Sequence, residues 1–169
     1  MRKLLLFFFF TSCMILQLSA QVVTKNTLPN NLMGIRMNLQ VDFSKAIIHG
    51  MSEEDFAIYE KDWVEDKPSI VRDMQKSANL ILGKHYGIGN YSDAAYTVVV
   101  TVKTITKEGY MICDVNIIDN EGETRLTIEQ LTGGEEPIFG VGTKLARIKM
   151  WATLTGKKLG NILKKELSK

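Results

Sequence analysis

Three features of the sequence predict an α+β fold. Its expected form is a two-layer sandwich of order β-α-α-β-β-β-α, with helices packed on one face of a mostly antiparallel sheet. First, Ile35, Met37, Leu39, Val41 and Phe43 alternate with Arg36, Asn38, Gln40 and Asp42. That period of two makes a strand with one wet face. Second, three further strand-like runs follow Ala95, separated by short turns. Third, the last segment carries apolar residues at helical spacing, which predicts a closing amphipathic helix.

The N-terminus reads as an address. Met1-Arg2-Lys3 is a short cationic start, Leu4 to Leu18 is almost unbroken hydrocarbon, and Ser19-Ala20 precedes Gln21. This is the three-part pattern of a secretory signal peptide over residues 1–20, with cleavage expected after Ala20. The apolar run falls short of the ~20 residues that span a bilayer. Phe10-Thr11-Ser12-Cys13 offers a rival, a lipobox with Cys13 lipidated, but Met14-Ile15-Leu16 stays apolar where a lipoprotein turns polar. Residues 21–33 are polar and without periodicity, and read as a flexible leader to one α+β domain over 34–169.

Within that domain the first strand is the alternating run from Ile35 to Phe43. Ser44 to Met51 is ambiguous, with Gly50 a break. Ser52-Glu53-Glu54-Asp55 looks like a helix start, a serine cap followed by acids at the positive dipole end. Phe56, Tyr59 and Trp63 continue it at helical spacing. Pro68 suits the first turn of a second helix, where its missing N–H costs nothing. Ile70, Val71, Met74, Ala78 and Ile81 give that helix its apolar side, and Gly83 ends it. His85 to Asp93 reads as a loop. Tyr96, Val98, Val100 and Val102 then mark one inward face, and Met111, Cys113, Val115 and Ile117 the next. Lys107-Glu108-Gly109 and Asp119-Asn120-Glu121-Gly122 make the turns, and Leu126 and Ile128 the last strand. From about Thr143 to Leu167, Leu145, Ile148, Ala152, Leu159, Ile162 and Leu163 form a helical stripe. Ala152, Gly156 and Gly160 add a small-residue ridge suited to close approach to the sheet.

Composition narrows the function. Of 21 Lys and Arg, Arg2 and Lys3 lie in the signal segment, so the remaining basic residues balance the 19 acids. A neutral mature chain argues against nucleic acid as a partner. Charge is nonetheless uneven. Glu53 to Asp73 holds eight acids against three bases, and Lys144 to Lys169 holds eight bases against one acid. The basic C-terminal helix could meet an acidic partner or membrane headgroups. With Cys13 removed, Cys113 stands alone and no internal disulfide is expected.

No constellation of catalytic residues emerges. Cys113 falls on an apolar strand face, where a thiol is a small hydrophobe. His49 and His85 are the only histidines, and neither has metal-ligand spacing or a nucleophile elbow beside it. Asp114, Asn116 and Asp119 are calcium-friendly residues in the wrong register for an EF-hand, so the hairpin reading is preferred. The Gly133 to Gly142 loop opens onto a helix N-terminus, as phosphate loops do, but lacks their full glycine pattern and carries Glu135 and Glu136. No catalytic, cofactor-binding or metal-binding residue is therefore assigned, and no cofactor is expected.

Asp93-Ala94-Ala95-Tyr96 leading into Thr97-Val98-Val99-Val100, the Asp119–Gly122 turn, and the closing pattern Ala152, Gly156, Leu159, Gly160 and Leu163 together resemble small periplasmic domains. That group includes the curli-secretion lipoprotein CsgG, the N-terminal domain of TolB and the penicillin-binding-protein activator LpoB. The resemblance implies a non-enzymatic role in envelope assembly or regulation and carries no catalytic residue over. The chain lacks the long pore hairpin of CsgG and the propeller repeats of TolB. The expectation is an exported interaction module of the bacterial envelope, periplasmic or outer-membrane-associated, with an unidentified envelope protein as partner. The alternatives are a small carboxylate-dependent hydrolase acting on envelope polymer or glycan, and a small-ligand carrier.

Overall fold

A computed structural model of the chain describes residues 21–30, 32–134 and 142–169. The expected signal segment 1–20 with Cys13, residue 31, and residues 135–141 of the glycine loop lie outside the described residues. The eight strands are β1 (Val22–Asn26), β2 (Arg36–Asp42), β3 (Ile47–Ile48), β4 (Met51–Ser52), β5 (Gly87–Gly89), β6 (Tyr96–Ile105), β7 (Met111–Asp119) and β8 (Thr124–Thr132). The helices are α1 (Glu53–Tyr59), α2 (Trp63–Leu82) and α3 (Lys144–Leu167).

The fold is α+β, with the helices on one face of a mostly antiparallel sheet ordered β1-β8-β7-β6-β2-β5. The meander β6-β7-β8 is antiparallel throughout. β2 runs parallel to β6, Asn38 opposite Thr97 and Asp42 opposite Thr101, and parallel to β5 on its other side. The parallel pair β2–β5 follows from the intervening helices, since a parallel return needs a crossover longer than a hairpin. Alternation sorts the side chains. Val98, Val100 and Val102, Cys113, Val115 and Ile117, and Leu126 and Ile128 are buried under the helices. Met37, Phe43, Ile70, Met74, Ile148, Leu159 and Leu163 complete that core.

Several local devices are as the sequence suggests. The Ser52 hydroxyl accepts from the Asp55 N–H at 3.1 Å and caps α1. Gly83, at φ 71°, ends α2. Thr143 caps α3 by accepting from the Ala146 N–H at 3.2 Å. Gly122, at φ 84°, closes the Asp119 turn, in which the Asp119 carboxylate accepts from the N–H groups of Glu121 and Glu123.

Other expectations are corrected. Residues 21–33 include β1, an edge strand paired antiparallel to β8, instead of forming a wholly flexible leader. Its five residues are exposed and have no inward face, hence no periodicity. The long-range bond from Asn26 Nδ2 to Glu166 Oε2, 2.6 Å, anchors its end to α3. Inside the expected loop from His85 to Asp93 sits β5, fixed when Asn79 receives the Ile88 N–H and donates to the Ile88 carbonyl, both at 2.9 Å. The ambiguous stretch folds into β3 and β4, joined through His49 (φ 54°) and Gly50 (φ 86°) as a tight hairpin. The order is therefore richer in strands than β-α-α-β-β-β-α.

α2 begins at Trp63, a full turn before Pro68, which lies inside the helix. Trp63 is held edge-on against Phe43 and Phe56, with centroids at 5.6 and 5.3 Å. This aromatic packing sets the helix start ahead of the proline. The small-residue ridge of α3 faces α2 and not the sheet. A methyl at Gly156 would overlap the Met74 carbonyl oxygen and the Ser77 hydroxyl, and one at Gly160 would lie 2.7 Å from the Ala78 carbonyl oxygen. The glycines that cost α3 helix propensity are what allow the two helix backbones to touch.

Candidate functional site

Cys113 lies fully buried on β7, and desolvation, with Asp114 beside it, pushes its thiol far up. A thiolate is the reactive form, so this cysteine is core. Asp114 pairs with Lys103 at 3.0 Å, and Asn116 accepts from Thr127 at 2.9 Å. Asp119 takes the Arg125 Nε–H at 2.6 Å. The three residues serve the hairpin separately. Among the described residues, no group of three or more His, Cys, Asp or Glu converges to hold a metal ion.

His49 lies on the β3–β4 turn, its ring 5.1 Å from Phe56, with Nε2 buried and unpartnered among the described residues. Burial first, then the positive charges of Lys144 and Arg147, hold its pKa below the ordinary histidine value. His85 lies elsewhere, on a polar cleft beyond the end of α2. The two histidines are not brought together.

Four carboxylates, Asp42, Glu108, Asp119 and Glu166, are shifted toward the anion. Asp42 and Glu108 are shifted down chiefly by backbone hydrogen bonds, to Ser44 and within Glu108 itself. Burial alone would raise Asp119 and Glu166. Backbone N–H groups and Arg125 outweigh it for Asp119, and Lys169 with Asn26 outweighs it for Glu166. A general acid in glycoside cleavage needs the opposite shift.

The charge-biased segments meet each other. Lys149 of α3 pairs with Asp66 of α2 at 2.6 Å. Lys144 lies 3.7 Å from Glu60, donates to the Tyr59 hydroxyl at 2.9 Å and sits over the Tyr59 ring. The N-terminal half of the basic helix thus spends its lysines on the acidic segment. The C-terminal half does not. Lys157, Lys158, Lys164 and Lys165 are exposed and make no ion pair with any described residue. The seven-residue spacings 157–164 and 158–165 put them on one helical face, because 3.6 residues per turn returns near the same direction after two turns. Lys157 also borders a cleft of about 620 Å³ between α2 and α3, lined as well by Asp73, Lys76, Ser77, Asn79, Leu80 and Thr153. Its surface is mostly apolar, and Leu80 is 75% exposed beside it. Sequence reasoning found the basic helix but could not tell its free lysines from its paired ones, or find the cleft, because both depend on α2.

No family model and no curated protein matches the sequence. Among solved structures, a PelC variant dodecamer from Paraburkholderia phytofirmans is similar at 11% identity and a TM-score of 0.40, covering 89% of this chain and 99% of that one. A likeness at that level assigns neither fold detail nor function. No described helix is long and apolar enough to cross a membrane.

Proposed function

We propose that the protein is an exported, non-enzymatic interaction module of the bacterial cell envelope that binds an acidic protein surface through the outer face of its helical layer. The observation that carries this reading is the row of unpaired lysines on α3 beside an apolar cleft. The lysine row steers an acidic partner, and the cleft that Lys157 and Lys76 border, beside Asp73, offers it apolar surface to seat on. Export rests on the signal-peptide pattern of residues 1–20, and the envelope role on the resemblance to small periplasmic domains. The downward shifts of Asp119 and Glu166 make those two poor general acids for the hydrolase alternative.

The test is mild crosslinking of the tagged protein in its native envelope fraction, followed by purification. A stoichiometric partner should be recovered, and should be lost when Lys157, Lys158, Lys164 and Lys165 are all changed to Glu. A partner-free monomer, or a partner that survives the charge reversal, would contradict the proposal.

A further inference from the structure

Beyond the edge of the helical layer, a second and separate surface carries chemistry of its own. A cleft of about 390 Å³ lies where the parallel strands β2 and β5 begin and α2 ends. Its cationic and aromatic lining is Arg36, Lys84, His85, Tyr86 and Tyr91, and no carboxylate is among its lining residues. We propose that this cleft is a binding site for a small ligand bearing a carboxylate or phosphate group.

The geometry of Arg36 is the central argument. Arg36 is exposed and makes no ion pair among the described residues. Its guanidinium carbon sits 5.4 Å from the centroid of the Tyr91 ring. Stacking on an aromatic face orients a guanidinium while leaving its N–H fork free to receive an oxyanion bidentately.

Tyr91 is itself well fixed. Its backbone N–H donates to Asn38 Oδ1 at 2.7 Å. Its ring lies against the glycines of β5, and a Cβ at Gly87 would be 3.0 Å from the Tyr91 hydroxyl oxygen. Glycine at 87 and 89 therefore makes room for the aromatic platform. The walls are tied together, Gly34 N–H to the His85 carbonyl at 2.8 Å and Gly87 N–H to the Ile35 carbonyl at 3.2 Å. A site of this kind is preorganised and loses little entropy on binding.

Charge supports the same ligand class. The C-terminal end of α2 brings roughly half a negative charge nearby. Arg36 and Lys84 supply two full positive ones, so the cleft favours an anion. The size suits a monosaccharide-scale ligand, near the lower end of the ~300–1,000 Å³ typical of small-molecule sites.

The purified protein, titrated in turn with inorganic phosphate, glucuronate and glucose and followed by amide NMR, tests this. Saturable shifts at Arg36 and over residues 84–91 are expected with phosphate, glucuronate or both, and none with glucose. Phosphate alone would assign a phosphorylated ligand, and glucuronate alone a carboxylated sugar. The double variant Arg36→Gln/Lys84→Gln should bind at least tenfold more weakly and still unfold cooperatively close to the wild-type temperature, since both residues are exposed and only the Arg36–Tyr91 stacking is lost. Silence from both anions up to about 20 mM, well above the millimolar affinity of a weak fragment, would overturn the proposal. So would equal binding of glucose, or full affinity in the double variant. None of these residues belongs to the α3 lysine row, so this site and the partner surface can fail independently.

Discussion

The two halves of α3 use lysine in opposite ways. In the first half, Lys144 and Lys149 reach Glu60 at the end of α1 and Asp66 in α2, and the charge is consumed in docking the helix against the acidic stretch that joins them. In the second half, Gly156 and Gly160 let α3 come close against the Met74 and Ala78 carbonyls and the Ser77 and Ile81 side chains of α2, and Lys157, Lys158, Lys164 and Lys165 are left exposed. One end meets the acidic stretch through charge and the other packs closely on α2 through glycine, which leaves the second set of charges free for a partner. Net charge counted along a helix does not say which charges are available.

The sharpest way to break this comparison is at the glycine contact. Gly156→Ala gains up to ~1 kcal/mol of helix propensity. The added methyl meets backbone and a buried hydroxyl, and overpacking of that kind costs about 1–3 kcal/mol or more. A net loss of about 1–2 kcal/mol is expected from urea unfolding, where the bonus of an ordinary exposed glycine would be a gain. Gly160→Ala, with its nearest atom farther away, should lose less.

Next comes the last turn of α3, where Glu166 ties down β1. Asn26→Ala removes a hydrogen bond to a charged group and should cost about 1–2 kcal/mol. Glu166 has its folded pKa lowered. Its contribution is therefore complete above the unfolded carboxylate value, near ~4.3, and is lost as pH falls through the lower folded one. Thermal unfolding followed from pH 7 down to about pH 3 should show this loss, and Glu166→Gln should reduce that pH dependence. The smallest effect is at the charged end. Lys149→Ala should cost about 0.5–1 kcal/mol by urea unfolding, since its pair with Asp66 is partly exposed, and Lys144→Ala no more.

Much of this fold is legible where burial has a period. β2, the β6–β8 meander and α3 announce themselves because one face of each is inside, while Ser52, Gly83 and Thr143 mark the start of α1, the end of α2 and the start of α3 by local chemistry. The elements that escape are those whose cause is remote. β5 is two glycines around Ile88, made a strand by Asn79 nine residues earlier. β1 has no buried face and is anchored through Glu166, 140 residues away. The start of α2 is set by aromatic contacts that outrank Pro68. The candidate surfaces divide likewise. A basic C-terminal helix is visible in sequence, whereas the pairing of Lys144 and Lys149, and the meeting of Arg36 with Lys84 and Tyr91, exist only once β2 has paired with β5 and α2 with α3.

One paired measurement tests the division of α3 most directly: partner recovery and thermal stability, side by side, in two charge-reversed variants. Changing Lys157, Lys158, Lys164 and Lys165 to Glu should abolish crosslinked partner recovery while the protein stays folded, at a cost of about 0.5 kcal/mol or less per exposed site plus the lost favourable charges of Lys164 and Lys165 in the last turn. Changing Lys144 and Lys149 to Glu should lower stability and leave the partner bound. Partner recovery that follows the Lys144/Lys149 variant, or that is indifferent to both, would contradict the account.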